Sequence, residues 1–120
     1  MTIVGVDHVQ LAMPSGREAE ARAFYSGLLG IPEIAKPAAL AARGGAWFER
    51  GTVKIHLGAD ADFRPARKAH PRAPGQRDRI ADRAPPDGGL SGGRGRLAGY
   101  VCVFVSDPFG NRLELMEPRS

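Results

Sequence analysis

Apolar and polar positions alternate along several short stretches of the chain, and this alternation sets its class. In TVKIHLG (52–58), Val53, Ile55 and Leu57 share one face while Thr52, Lys54 and His56 share the other. In RLELME (112–117), Leu113 and Leu115 face a core, with Arg112, Glu114 and Met116 opposite. Residues 2–12 read as a strand of the same kind: Val9 and Leu11 point one way, Val6, His8 and Gln10 the other, and Pro14 and Ser15 end it. AWFER (46–50) and the β-branched GYVCVFVS (99–106) are two more strands. Gly51 marks a tight hairpin between 46–50 and 52–58. DPFGN (107–111) is a turn, with Pro108 fixing φ and Gly110 allowing a positive φ.

One stretch changes period. Ser15 and Glu18 have capping-box spacing, and Ala19, Ala23, Phe24 and Leu28 fall on one stripe of a helix that runs to about residue 29. Gly30 is placed to be its C-terminal glycine. IPEIAKP (31–37) is a short extended piece broken by Pro32 and Pro37; residues 38–43 suit one helical turn and 59–68 a loop.

The parity of the strands gives the candidate chemistry. In three of them the face opposite the aliphatic residues carries a metal-ligating type: His8, His56 and Glu114. The third histidine, His70 in RKAHP, is also on a candidate strand. Imidazole is the commonest protein ligand for metals, and a carboxylate commonly completes such a site. The four residues are scattered, which argues against a zinc finger and for a site assembled by the fold. A sheet with its aliphatic face on a helix and its polar face concave would collect His8, His56 and Glu114 in one cleft. Gln10, Trp47, Phe48 and Met116 are candidate walls, although adjacent Trp47 and Phe48 must face opposite ways. Cys102 reads as a small core hydrophobe.

Composition adds boundaries. The chain has 120 residues, of which 42% are hydrophobic, enough for one domain with its own core. Its apolar runs are far shorter than the ~20 residues a membrane span needs. The start MTIVGVDHVQLAM has no charged n-region and no cleavage site, and the single cysteine fits a reducing compartment, so the expected location is cytoplasmic. Residues 71–99 hold six Arg and three Asp, whereas the rest of the chain is nearly balanced, so most of the net charge of +4 belongs to one segment. No aromatics interleave with those arginines, which argues against nucleic acid as a partner.

The order strand, helix, three strands, then a second such set resembles the vicinal oxygen chelate superfamily of glyoxalase I, fosfomycin-resistance proteins, extradiol dioxygenases and bleomycin-resistance proteins. The resemblance is carried by DHVQLAM (7–13), AFYSGLLG (23–30), KIHLG (54–58), AHP (69–71) and DPFGNRLELMEP (107–118). It implies an α+β fold of paired βαβββ modules, residues 1–60 and 61–120 of a single domain, forming a curved mixed sheet with a concave cleft. It implies a divalent metal (Zn, Ni, Mn, Fe or Co) held by His8, His56, His70 and Glu114, with a displaced Glu114 or His56 as catalytic base. The substrate would be a small molecule with adjacent oxygens, and the reaction that of a glyoxalase-like lyase or isomerase or of an extradiol-type dioxygenase. Glyoxalase I usually has Glu where this chain has His56; dioxygenases and fosfomycin enzymes use two His and one Glu, matching His8, His70 and Glu114. Small members of the family commonly pair as homodimers, each cleft built from modules of two chains. A metal-free drug-binding protein of the bleomycin-resistance type, or a degenerate paralogue without activity, is the alternative.

The second module is atypical. Residues 71–99 have seven Gly, four Pro and only three large aliphatics, Ile80, Leu90 and Leu97, and read as irregular. GLSGGRGR (89–96) lacks the Gly-Lys-Ser/Thr ending of a phosphate loop. A compensated frameshift in GC-rich DNA would yield this composition, and an unbroken frame on resequencing excludes it. A diverged insertion, linker or lid is the other reading.

Overall fold

The hairpin at residues 46–59 is the organising element. β3 (Ala46–Arg50) and β4 (Val53–Ala59) pair antiparallel across the two-residue connection Gly51 and Thr52, which sets Trp47 opposite His56 and Phe48 opposite Ile55. Gly51 has φ +59°, the positive φ such a tight connection demands. β1 (Val9–Met13) lies parallel on the other side of β4, and β2 (Glu33–Ile34) adds antiparallel to β3. The resulting sheet has the order β1-β4-β3-β2. A second sheet, β5-β8-β7-β6, repeats this pattern with β5 (Arg72–Pro74), β6 (Arg94–Gly95), β7 (Tyr100–Ser106) and β8 (Arg112–Pro118). The architecture is α+β with two mixed sheets. The computed structural model describes residues 1–76, 94–95 and 97–119. Most of the irregular segment, including most of GLSGGRGR, therefore lies outside the described residues; its first strand, β5, does not.

The helix differs from expectation in two ways. α1 (Glu18–Ala21) passes directly into π-helical turns (Arg22–Leu28), and no side chain caps its start, so the Ser15–Glu18 capping box does not form. Glu18 is drawn away: its Oε1 accepts the Gly45 N–H at 3.1 Å, and that bond holds its carboxyl below the usual range. The buried stripe is Ala21, Phe24 and Tyr25, while Ala19 and Ala23 are exposed. Tyr25 wins the core position because its hydroxyl finds a buried acceptor, as shown below. The helix ends as expected. Gly30, at φ +73°, donates to Ser26 O and Ile31 N–H reaches back to Tyr25 O, a glycine stop whose paired bonds each span one residue more than a Schellman motif because it follows π-helical turns.

The strand expected over residues 2–12 is also shorter. Its ladder begins at Val9, opposite Ile55, and residues 1–8 are exposed, Val4 and Val6 at 98% and 81%. Alternation gives residues two faces, but a strand also needs a neighbour for its backbone N–H and C=O groups. β4 starts at Val53, and among the described residues no strand pairs with residues 1–6.

The aliphatic faces of both sheets meet the helix in one cluster that includes Met13, Phe24, Tyr25, Phe48, Ile55, Leu57, Val105, Leu113 and Leu115. Cys102 is buried, as expected of a small core residue. Gly45, at φ +82°, enters β3 where a Cβ would run into the Leu57 carbonyl. Gly45→Ala is therefore expected to cost at least about 2 kcal/mol, from left-handed backbone strain plus displacement of β4, read by thermal or urea denaturation.

Candidate metal half-sites

Trp47, Glu49, Lys54, His56 and Gln10 share the sheet face opposite the core, by the register of β1, β3 and β4. Three rings stack there. Trp47 lies on His56 with centroids 4.0 Å apart and planes 5° apart, and His8 covers the other side of His56 at 4.1 Å and 18°. His56 is buried at 3% exposure, and its Nε2–H donates to Glu49 Oε2 at 2.7 Å. The Nδ1 of His56 is buried without a hydrogen-bond partner among the described residues.

His8 stands just before β1 and is held differently. Its Nδ1–H donates to Asp7 Oδ2 at 3.0 Å, and Lys54 Nζ approaches Asp7 Oδ1 at 3.3 Å. The His8 hydrogen bond, then Lys54, hold the Asp7 carboxyl below its ordinary range. With Nδ1 carrying the proton, the neutral ring presents Nε2 as a lone pair, the arrangement a second carboxylate imposes on metal-binding histidines. An ion about 2.1 Å from an imidazole nitrogen lies near that ring's plane, so one ion cannot sit in the planes of both stacked rings, His8 and His56.

The second sheet carries the other pair. His70 donates Nδ1–H to Lys68 O at 2.8 Å, since a carbonyl only accepts. Its Nε2 is the donor side of a second contact, to Glu114 Oε2 at 3.3 Å, because the carboxylate only accepts. An imidazole nitrogen and a carboxylate oxygen this close can hold a cation once the ring nitrogen has given up its proton. Glu114 is buried at 2% exposure, and Arg72 reaches its Oε2 with Nε–H at 2.9 Å. The Arg72 bond holds the Glu114 carboxyl below the usual carboxylate range, so it is ionised near neutrality.

The four residues predicted from sequence thus fall into two pairs, His8 with His56 and His70 with Glu114, on separate sheets. The single cleft expected for His8, His56 and Glu114 is not assembled within one chain: among the described residues no group of three or more His, Cys, Asp or Glu gathers. Facing is local, but convergence depends on which strands join one sheet. Among the described residues β1 and β5 are both edge strands with one hydrogen-bonded neighbour each, so each pair stands at or beside a sheet edge. Trp47 lies on the histidine face while Phe48 is fully buried, as their adjacency requires. A separate cavity of about 440 Å³ is lined by Leu29, Ile31, Ile55, Leu113 and Leu115 on the aliphatic side and touches none of the four.

Asp7, Glu49 and Arg72 were not singled out in the sequence. Glu49 was accessible: a two-residue hairpin pairs it with Lys54, diagonal to His56 on the same face. Asp7 adjoins His8. Arg72 was not, because its position opposite Glu114 depends on a parallel ladder between distant segments.

A solved structure of a protein from Bacillus anthracis assigned to the glyoxalase family is 38% identical, with 99% of this chain and 98% of that one covered at a TM-score of 0.81. This chain belongs to the vicinal oxygen chelate superfamily. Two further solved superfamily structures share the fold at lower identity. A glyoxalase/dioxygenase from Nostoc punctiforme is 20% identical at TM-score 0.70, covering 97% and 92% of the two chains. A genomically encoded fosfomycin resistance protein from Listeria monocytogenes is 16% identical at TM-score 0.69, covering 98% and 96%. No family model and no curated protein matches the chain. No helix among the described residues is long and apolar enough to cross a membrane.

Proposed function

We propose that this superfamily member is a metal-dependent enzyme acting on a small substrate with adjacent oxygens, as a homodimer whose sites draw on two chains. The observation that carries this reading is how the imidazoles are anchored. In both His8 and His70 an oxygen partner holds Nδ1, so Nε2 is the nitrogen an ion would take on displacing its proton, and the Nε2 of His70 already lies 3.3 Å from buried, ionised Glu114. His8, His70 and Glu114 make a two-histidine, one-carboxylate donor set suited to a divalent ion with open positions. A metal bound there would supply Lewis-acid stabilisation of negative charge on a chelating substrate oxygen.

Dimerisation is supported by the open edges. Among the described residues β1 beside His8 and β5 beyond His70 each have a single hydrogen-bonded neighbour, and residues 1–6 lead into β1 as an exposed apolar arm. A two-fold dimer that sets β1 of one chain against β5 of the other would unite His8 with His70 and Glu114 twice. His56 then acts as a wall or base rather than a ligand. Glu49 fixes its Nε2–H tautomer, leaving Nδ1 as the basic nitrogen, and its ring backs His8.

A metal-free ligand-binding protein is the second reading. It is favoured by the Arg72–Glu114 ion pair, which already neutralises the carboxylate, and by the Trp47, His56 and His8 rings, which suit a planar ligand. Elemental analysis of purified protein separates the two. About one divalent metal per chain, lost in His8→Ala and in Glu114→Ala, is expected for the enzyme; no metal after reconstitution supports the binding protein.

A further inference from the structure

Arg72 has no role in the metal reading, yet it makes the closest side-chain contact to the most buried candidate ligand. It opens β5 directly opposite Glu114 in the parallel ladder with β8. Its Nε lies 2.9 Å from Glu114 Oε2, the same oxygen that faces His70 Nε2 at 3.3 Å. The two side chains differ sharply in surroundings: Glu114 is 3% exposed and Arg72 47%. A carboxylate this buried requires a compensating charge. Here that charge comes from a guanidinium reaching in from the surface, and the polar half of its side chain can leave without opening the core.

A divalent ion held by His70 and Glu114 would satisfy the same carboxylate. It would also stand within a few ångströms of the guanidinium, where two positive charges repel. Metal and Arg72 therefore compete for one oxygen. Resting on the metal reading above, we infer that Arg72 is a built-in competitor for the metal at Glu114: it keeps the metal-free half-site neutral and lowers the affinity for the ion that displaces it. Arginine suits this role because its charge is permanent and its planar fork matches a carboxylate, whereas lysine offers only a point charge.

The test is zinc titration by calorimetry on the chelator-stripped, full-length protein, comparing wild type with Arg72→Gln, Arg72→Lys and Glu114→Gln. Arg72→Gln should bind Zn²⁺ at least tenfold more tightly than wild type, Arg72→Lys two- to fivefold more tightly, and Glu114→Gln should lose the site. Without metal, Arg72→Gln should melt below wild type, and excess Zn²⁺ should raise its melting temperature by more than it raises that of wild type. If Arg72→Gln fails to fold, Arg72→Lys decides alone. Zinc binding in wild type with affinity unchanged or weaker in the Arg72 variants overturns the competitor and leaves the metal reading intact. Zinc binding only after Arg72 is replaced supports the competitor and overturns the metal reading for the native chain. No binding in any variant overturns both.

Discussion

Replacing Asp107 with alanine is expected to remove about 3–5 kcal/mol of stability, a large part of the roughly 5–15 kcal/mol that holds a domain folded. Asp107 lies in the turn between β7 and β8 and is buried at 5% exposure. Its Oδ1 accepts the backbone N–H groups of Phe109 and Asn111 at 2.9 and 2.8 Å. Its Oδ2 accepts Tyr25 O–H at 2.8 Å and Asn111 Nδ2 at 2.9 Å. Asn111 Nδ2 also donates to Ala12 O in β1 at 2.7 Å. One carboxylate thus ties the helix and β1 of the first sheet to the closing turn of the second. Alanine would strand buried donors on both sides, which costs more than the bonds themselves contribute. Urea denaturation measures it. A loss under 1 kcal/mol would mean the network adds little. Tyr25→Phe, which deletes a single bond, should cost only about 1–2 kcal/mol.

The same network fixes a pH response. Burial, with the Asp107 charge beside it, pushes the Tyr25 phenol well above its ordinary value of 10.0. A raised pKa in the folded state means the contribution is intact below about pH 10. It is lost as pH rises further, because the unfolded chain releases a proton that the folded chain retains. Stability should fall above pH 10, and Tyr25→Phe should flatten that fall.

The second large effect is complementation between two inactive variants. His8→Ala and Glu114→Ala homodimers should each hold essentially no metal, since every composite site lacks one ligand. In a dimer of one His8→Ala chain and one Glu114→Ala chain, one site carries both lesions and the other carries neither. Random mixing makes half the dimers hybrid, so about a quarter of the wild-type sites should return. Refolding the two variants together and measuring bound metal provides the readout. If metal does not return while hybrid dimers form, each site is contained within one chain. The separation of His8 from His70 and Glu114 onto two sheets makes the composite arrangement the expected one.

The candidate residues were legible because their signal is local. His56 and Glu114 alternate against aliphatic neighbours, and the two-residue hairpin fixes which residues of β3 and β4 face each other. Gly30 could be read as a helix stop because a positive φ there is a backbone requirement of the stop itself. The helix face was read partly wrongly for the opposite reason. Tyr25 is buried through a hydroxyl partner 82 residues away, which no local period encodes. The first strand was overextended because alternation continues through residues 2–8, while among the described residues no backbone pairs with them.

By itself, then, the sequence determined the faces of the strands, the hairpin, the closing turn and the identity of the ligand-type residues. These follow from side-chain periodicity and from glycine and proline geometry within a few residues. Only the tertiary structure decided which of those residues meet. It stacked His56 between Trp47 and His8, drew Glu18 to Gly45, set Arg72 on Glu114, and left the two histidine-bearing edges apart. Ladder pairing and buried charge compensation join segments far apart in the chain, and their energies depend on burial and on partners that no single stretch of sequence contains.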